Sequence, residues 1–231
     1  MGLYSIQYLV FLVVVAAVYL HLPQRVQPPF LLAASWVFYA VASVSMGSAG
    51  YLAVTLAICA FSYLCGRGLG WRGGAHKKAF VRLGVIGSLA ILAFFKYFGF
   101  LETALGLPFA IVMPLGISFY SFAAIAYLID AARGDCEVEK SPLRYALFLM
   151  FFGTVTQGPI PRAGQLIPQL VQEHRFDAAR TVRALRLYAL GLFKMVAVSD
   201  VLGLLVDEVF GAWQNYGGPM RVLAAVFYTF Q

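Results

Sequence analysis

Long apolar runs recur along this chain, and they restrict its fold more than any other feature of the sequence. A helix needs about 20 apolar residues to cross the roughly 30 Å hydrocarbon core of a bilayer. Runs near that length predict membrane-spanning helices at 3–22, 28–45, 49–65, 83–101, 110–132 and 184–206, with a last, incomplete run at 219–231. The sequence therefore predicts an all-α, polytopic transmembrane helical bundle that forms one transmembrane domain over 1–231.

Composition supports this prediction and excludes several classes of protein. The residue types AVILMFWYC make up 61% of the 231 residues, and only 12% are charged, whereas about 25% of a soluble domain is charged. A soluble enzyme, a disordered chain and a nucleic-acid-binding protein are thereby excluded, and the lipid bilayer is the expected partner. The cysteines Cys59, Cys65 and Cys136 form no CxxC pair, so neither a disulfide framework nor a metal site is indicated.

The basic residues set the predicted orientation. Three predicted loops carry Lys or Arg, namely 23–27, 66–82 and 133–144, while the loops between them, 46–48 and 102–109, carry neither. Cytoplasmic loops of membrane proteins are enriched in Lys and Arg. The alternation therefore predicts a multi-pass protein whose N-terminus lies outside.

The apolar run at 145–158 is too short for a span. If it crossed the membrane completely, the arginines that follow it would lie outside: Arg162, Arg175, Arg180 and Arg183. A re-entrant hairpin over 145–158 that returns to the cytoplasmic side satisfies both the length and the charges. Because non-helical backbone at membrane depth survives only in protein or beside a watery cavity, this hairpin predicts an internal cavity reached from the cytoplasm.

Two motifs contribute candidate cavity residues. At 113–119, Pro114 removes a helix hydrogen bond and Gly116 permits close approach, which predicts either a packing kink or a cavity-lining break. At 157–162, two prolines stiffen the end of the hairpin, and the arginine there would either meet an anionic group or rest on lipid phosphates. The candidate residues are Pro114, Gly116, Ser118, Gln157, Gly158, Pro159 and Arg162.

Charges inside the predicted spans are a second group of candidates. Lys194 and Asp200 lie within one span, and Lys96 lies near the end of another. Charged groups at membrane depth usually have partners in the bundle, so Lys194 and Asp200 are expected to find theirs on other helices, whereas snorkelling also accounts for Lys96. The histidines fall at span ends or in loops: His21, His76 and His174. No catalytic residue is therefore predicted within the chain.

Several segments between 94 and 170 together resemble the membrane-bound O-acyltransferase family. The resemblance is to its bacterial branch of alginate O-acetyltransferases and D-alanyl-lipoteichoic acid transfer proteins. The matching segments are Phe-Lys-Tyr-Phe at 95–98; Pro-Leu-Gly-Ile-Ser-Phe at 114–119, followed by Phe122, Tyr127, Asp130, Arg133 and Gly134; Gly-Pro-Ile at 158–160 with Arg162; and Pro-Gln-Leu at 168–170.

The resemblance implies an enzyme of the bacterial cytoplasmic membrane. Family members pass an acyl group, here expected to be acetyl, from a cytoplasmic thioester to a hydroxyl of an extracytoplasmic polysaccharide or cell-wall polymer. The donor would be acyl-CoA or an acyl-carrier-protein thioester, with no bound cofactor. The expected protein partners are an acyl carrier protein or another acyltransferase of the cell envelope.

The family's membrane-embedded histidine lies downstream of every segment matched here. The chain is therefore expected to be the N-terminal portion of a longer acyltransferase and to be inactive alone. Two alternatives stay open: a transporter or flippase of a lipid-linked sugar that uses the broken helices with Lys194 and Asp200, and a non-catalytic membrane fragment.

Overall fold

The computed structural model contains helices and no strand in the residues that it describes, which are 6–45, 52–70, 74–105, 113–156, 158–172, 174 and 176–230. The α-helices are α1 Ile6–His21, α2 Gln27–Ser45, α3 Leu52–Leu69, α4 Gly74–Leu105, α5 Ile117–Arg133, α6 Pro142–Met150, α7 Ala163–Val171, α8 Ala178–Phe193, α9 Asp200–Gly211 and α10 Gly218–Tyr228. A π-helical turn, Lys194–Ser199, joins α8 to α9.

Among the residues that the structure describes, four helical segments are long and apolar enough to cross a membrane. They are Gln27–Val44, Leu52–Leu69, His76–Phe100 and Ala178–Gly211. Helix α1 is apolar but shorter, with 16 residues. These segments confirm the predicted all-α, polytopic helical fold.

The starts of two helices bear on the predicted spans. Helix α4 starts at Gly74 and not near 83, so most of the predicted basic loop at 66–82 is helical. Long basic side chains can follow an apolar helix into the headgroup region because their stems stay apolar. Helix α5 starts at Ile117, since Gly116 has φ +70° and Pro114 disfavours helix, which is the break that the motif at 113–119 predicts. The start of the predicted span at 110 lies outside the described residues.

The chain divides into two compact units, Met1–His174 and Arg175–Gln231. In the first unit, helices α3, α4 and α5 pack together and α2 packs against α6. Close approach depends on small residues, as is common in membrane bundles: a Cβ on Gly66 would lie 2.7 Å from Cε1 of Tyr127. Helix α6 is enclosed, because Tyr145, Phe148 and Met150 have no exposed surface.

In the second unit, α8, the π-helical turn and α9 form one continuous run, and α10 packs on α9. Asp177 caps α8 by accepting a hydrogen bond from the Arg180 amide at 3.1 Å, and aspartate is among the residues preferred at helix N-caps. The predicted span 184–206 is therefore the middle of a longer helix that starts at Ala178. Arg221 donates to the carbonyl of Tyr216 and lies over the Trp213 ring.

Candidate functional site

The segment from α6 to α7 returns to the end of α5 from which it departs. Arg162, just before α7, places Nη1 3.0 Å from both carboxylate oxygens of Asp130, in the last turn of α5. Gly164 packs beside Cys136, in the connection that leads from α5 to α6. The connection that leads into α6 and the residues that lead into α7 therefore both lie at the C-terminal end of α5.

The tip of this segment reaches the opposite end of α5. A Cβ built on Gly116, which caps the N-terminus of α5, would collide with the carbonyl oxygen of Val155. Helix α5 has 17 residues and is therefore about 25 Å long at 1.5 Å per residue. In the described residues, the segment from α6 to α7, which we call the hairpin, thus runs along the whole of α5 and back and brings the two sequence motifs into contact. That residues 145–158 re-enter a membrane stays a prediction.

Hydrogen bonds and tight turns fix the tip of the hairpin. The amide of Phe152 donates to Oγ of Ser35 on α2 at 3.2 Å, and Ser35 in turn donates to the carbonyl of Leu31. A Cβ on Gly158 would lie 2.6 Å from Cα of Thr154. The backbone at the tip therefore has a hydrogen-bond partner, which irregular backbone inside a membrane protein requires. A glycine lies where the two arms of the hairpin come closest to each other.

Three tyrosines fix the start of the hairpin. Tyr63 donates to the carbonyl of Lys140 at 2.7 Å, and Tyr145 donates to Oγ of Ser62 at 2.9 Å. The hydroxyl of Tyr127 accepts a hydrogen bond from the amide of Glu139 at 3.1 Å. Buried tyrosine hydroxyls need such partners, and here they hold α6 against α3 and α5.

Two cavities border the hairpin. One, of about 600 Å³, is lined by polar and charged side chains of the connection before α6 and by the first turns of α7, including Asp135, Glu137 and Gly164. The other, of about 300 Å³, is mainly apolar and is lined by α1, the tip residues Phe151 and Phe152, and α7. Both volumes fall in the range of small-molecule sites.

The thiol of Cys136, which lines the larger cavity, is not an activated nucleophile. Burial raises the pKa of this thiol, and the nearby carboxylates of Asp130 and Asp135 raise it further. The thiolate is the reactive form of cysteine, so Cys136 stays protonated at neutral pH. Within the described residues, no group of three or more His, Cys, Asp or Glu side chains is arranged to hold a metal ion.

The structure brings most of the candidate cavity residues together around the hairpin. Pro114 is buried, Gly116, Ser118 and Gly158 are half-buried, and Pro159 and Arg162 are exposed; Gln157 lies outside the described residues. The contact between Gly116 and Val155 links the first motif to the second. The roles of these residues in a donor entrance stay predictions.

The charged candidates lie at the surface of their helices. Lys96, Lys194 and Asp200 all have exposed side chains, and no ion pair joins Lys194 to Asp200 in the part of the chain that the structure describes. Lys194 is the first residue of the π-helical turn and Asp200 directly follows the turn, and π-helical turns are frequent at functional sites. Their pairing with other helices stays a prediction.

Two residues that hold the hairpin are not among the predicted cavity residues, although Asp130 belongs to the segment that carries the resemblance. Asp130 is the partner of Arg162, and Ser35 holds the hairpin tip. Asp130 had a detectable signal, since a carboxylate in an apolar helix usually needs a cationic partner. The sequence carries no comparable signal for Ser35, because a serine in an apolar helix does not indicate which backbone amide it will contact.

Comparison with known proteins identifies similar chains. The chain is 33% identical to the probable alginate O-acetylase of Pseudomonas syringae pv. tomato, over 90% of this chain and 41% of that protein. It is 32% identical to the probable alginate O-acetylase of Pseudomonas aeruginosa, over 96% and 44%. It is 25% identical to the peptidoglycan O-acetyltransferase of Helicobacter pylori, over 87% and 44%.

The chain therefore spans less than half the length of these relatives, although the similarity covers most of the chain itself. No protein-family profile matches the chain. No solved structure matches it either. The resemblance predicted from residues 94–170 is confirmed by the named relatives.

Proposed function

We propose that this chain, a relative of the bacterial O-acetylases of the membrane-bound O-acyltransferase family, forms the donor-binding part of an enzyme that acetylates an envelope polymer. The donor is a cytoplasmic thioester, either acyl-CoA or an acyl carrier protein. The acceptor is a hydroxyl of an extracytoplasmic polysaccharide or cell-wall polymer. The observation that carries this proposal is the similarity to named O-acetylases over about nine-tenths of the chain.

The hairpin is the part of the chain that suits this role best. It runs along α5 between a charged end at Arg162 and Asp130 and a glycine-lined end at Gly116. A thioester donor has a charged head and an uncharged arm, so it needs a site that is charged at its mouth and less polar further in. The charged cavity and the apolar cavity beside the hairpin together offer both surroundings.

Arg162 is the residue that we assign to the donor's phosphate. Both donors carry phosphate, on coenzyme A or on the phosphopantetheine arm of a carrier protein. Arginine presents a planar fork of donors that matches phosphate, and the side chain of Arg162 is 59% exposed although it is held by Asp130. The guanidinium is therefore oriented by one partner while several of its donors stay accessible.

A general base has to come from residues outside this chain. Transfer requires removal of the acceptor hydroxyl's proton as its oxygen attacks the thioester carbon, and histidine suits this step near neutral pH. His21 and His76 are exposed, and His174 hydrogen-bonds with the carbonyl of Gln169 at 2.6 Å. We assign none of the three to the reaction, and we expect the 231-residue chain to be inactive alone.

The test supplies radiolabelled acetyl-CoA, or a labelled acetyl carrier protein, to membranes that contain the protein with its complete reading frame. Labelled acetyl esters on an envelope polymer, absent from membranes with the 231-residue chain alone, are the expected result. Absence of transfer from both donors, with the protein correctly inserted, contradicts the proposal.

Transport of a lipid-linked sugar is a second candidate, favoured by one observation. The π-helical turn Lys194–Ser199 interrupts a helix long enough to span the membrane, and interrupted helices bind substrates in many transporters. Uptake of a labelled lipid-linked sugar by vesicles without acetyl transfer would favour this candidate over the enzyme.

A further inference from the structure

A third cavity, of about 370 Å³, lies where α2 and α6 begin. Its walls come from the α1–α2 connection and the start of α2, from the start of α6, and from the end of α7. The lining residues are Gln24, Arg25, Pro28, Pro29, Ser141, Leu143, Arg144 and Val171. We call this cavity the Arg25–Arg144 pocket.

The charge of the Arg25–Arg144 pocket is positive. Two guanidinium groups line it, and none of its lining residues carries a carboxylate. The carboxylates nearby, of Asp135, Glu137 and Glu139, line the neighbouring 600 Å³ cavity. Gln24, Arg144 and Val171 line both cavities, so the two cavities adjoin, and the acidic side chains line only the larger one.

The carboxylate of Glu139 lies at the edge of the pocket, where it is bound to the backbone of a lining residue. Its Oε1 accepts a hydrogen bond from the amide of Ser141 at 2.8 Å. In the part of the chain that the structure describes, the ion pair present is that of Arg162 with Asp130. Among the described residues, therefore, neither Arg25 nor Arg144 forms an ion pair with a carboxylate.

Helix geometry adds to the positive potential of the pocket. Helices α2 and α6 both start at its wall, and the N-terminal end of a helix carries a partial positive charge. Pro28, Pro29 and Pro142 lack an amide hydrogen, so the helix backbones offer few donors there. The side chains of Arg25 and Arg144, with the hydroxyl of Ser141, have to supply the hydrogen bonds to an anion.

The walls of the pocket are fixed before any ligand binds. Nε2 of Gln24 donates to the carbonyl of Val171 at 3.3 Å and so ties the α1–α2 connection to α7. Gln27, which is only 3% exposed, donates to the carbonyls of Tyr19 and Leu22. A preformed pocket loses less freedom when it binds a ligand than a flexible loop does.

The position of the pocket indicates the class of ligand. Pro28 and Pro29 lie in the first turn of the apolar segment Gln27–Val44, so the pocket lies at the level where a spanning helix leaves the hydrocarbon. Basic pockets between helices at this level bind lipid head groups. We infer that the Arg25–Arg144 pocket binds a phosphate group, supplied either by an anionic phospholipid or by a water-soluble phosphate.

Native mass spectrometry of the purified 231-residue chain tests this inference. The chain is released from micelles that contain equal amounts of phosphatidylglycerol and phosphatidylcholine. Preferential retention of phosphatidylglycerol is expected, and R25Q and R144Q should each lower it roughly tenfold or more, because each removes charge-assisted hydrogen bonds. R25K and R144K keep the positive charge but lose the planar guanidinium. Their retention of phosphatidylglycerol should therefore lie between that of the original chain and that of the glutamine variants.

R133Q is the matched control, since Arg133 is an exposed arginine of the same unit that does not line the pocket. It removes the same charge and should retain phosphatidylglycerol like the original chain. Displacement of the lipid by excess inorganic phosphate supports a water-soluble ligand, and retention in its presence supports a lipid ligand. Equal retention of both lipids, or equal loss in R133Q and R25Q, overturns the inference.

Discussion

At the scale of single residues, the ion pair between Arg162 and Asp130 is the most informative contact. The side chain of Asp130 is only 13% exposed, whereas that of Arg162 is 59% exposed. The better-buried carboxylate therefore fixes the guanidinium. Arg162 was predictable as a candidate from the prolines before it, but its partner was not, because 32 residues separate the two in the sequence.

Substitution of Arg162 should affect the donor and spare the acceptor. In the complete protein, Arg162→Ala should raise the apparent KM for the thioester donor roughly tenfold or more, since a charge-assisted hydrogen bond contributes about 1.5–3 kcal/mol. Arg162→Lys should restore donor use only in part, because lysine lacks the fork. Steady-state kinetics with acetyl-CoA and with an acetyl carrier protein measure both effects.

Lys140→Ala provides the control, because Lys140 is an exposed cation in the connection that precedes α6. Its donor KM should match that of the original protein. A donor KM equal to that of the original protein in both Arg162→Ala and Arg162→Lys would assign Arg162 to the lipid phosphates and remove it from donor binding.

The histidines provide a second prediction at this scale. In the complete protein, alanine at His21, His76 or His174 should leave most of the turnover intact, since none is assigned to proton transfer. A positioned acid–base group contributes about a hundredfold or more. Measurement of kcat for the three variants decides the matter, and a loss above about tenfold in a correctly folded variant would contradict the assignment.

At the scale of elements, the hairpin between α6 and α7 connects sequence to site. Its existence was predictable from the length of the apolar run and from the arginines that follow. Its depth along α5 was not, because that depends on the contact between Gly116 and Val155. The start of α4 was missed for a related reason: a basic segment predicts a loop by charge although its residues also suit a helix.

Gly116→Ala tests how strongly the hairpin depends on α5. The positive φ alone should cost about 1–3 kcal/mol of stability, and the new methyl group would also displace the carbonyl of Val155. Thermal unfolding of the chain in micelles should show a lower midpoint. Gly191→Ala, at a helical glycine with open space around its Cβ position, should show no loss. An equal midpoint for the two variants would refute this account of the contact.

At the scale of the whole molecule, the predicted arrangement in the membrane rests on the distribution of basic residues and on the hairpin. The fold class was predictable because apolar runs of spanning length have few other stable structures. The division into Met1–His174 and Arg175–Gln231 was not predictable, since no linker composition marks it. The sequence was read as one domain, and that reading stays a prediction for the complete protein.

Cysteine labelling tests the proposed arrangement. Single cysteines at 77 and 172, in a background without Cys59, Cys65 and Cys136, should react with an impermeant maleimide only from the cytoplasmic side. A cysteine at 214, between α9 and α10, should react only from outside. Positions 172 and 214 are exposed, and position 77 is half-buried. Reaction of position 172 from outside alone would rule out the return of the hairpin to the cytoplasmic face.

The order of the hairpin's partners along the chain bears on how the protein is made. Ser35, Gly116 and Asp130, which contact its tip and its returning arm, all precede it in the sequence. A ribosome delivers the chain from its N-terminus, so these helices leave the exit tunnel first. The hairpin then emerges beside a surface that already offers its hydroxyl, its glycine and its carboxylate. The hairpin can therefore pack on its partners as soon as it is synthesised, without waiting for a later part of the chain.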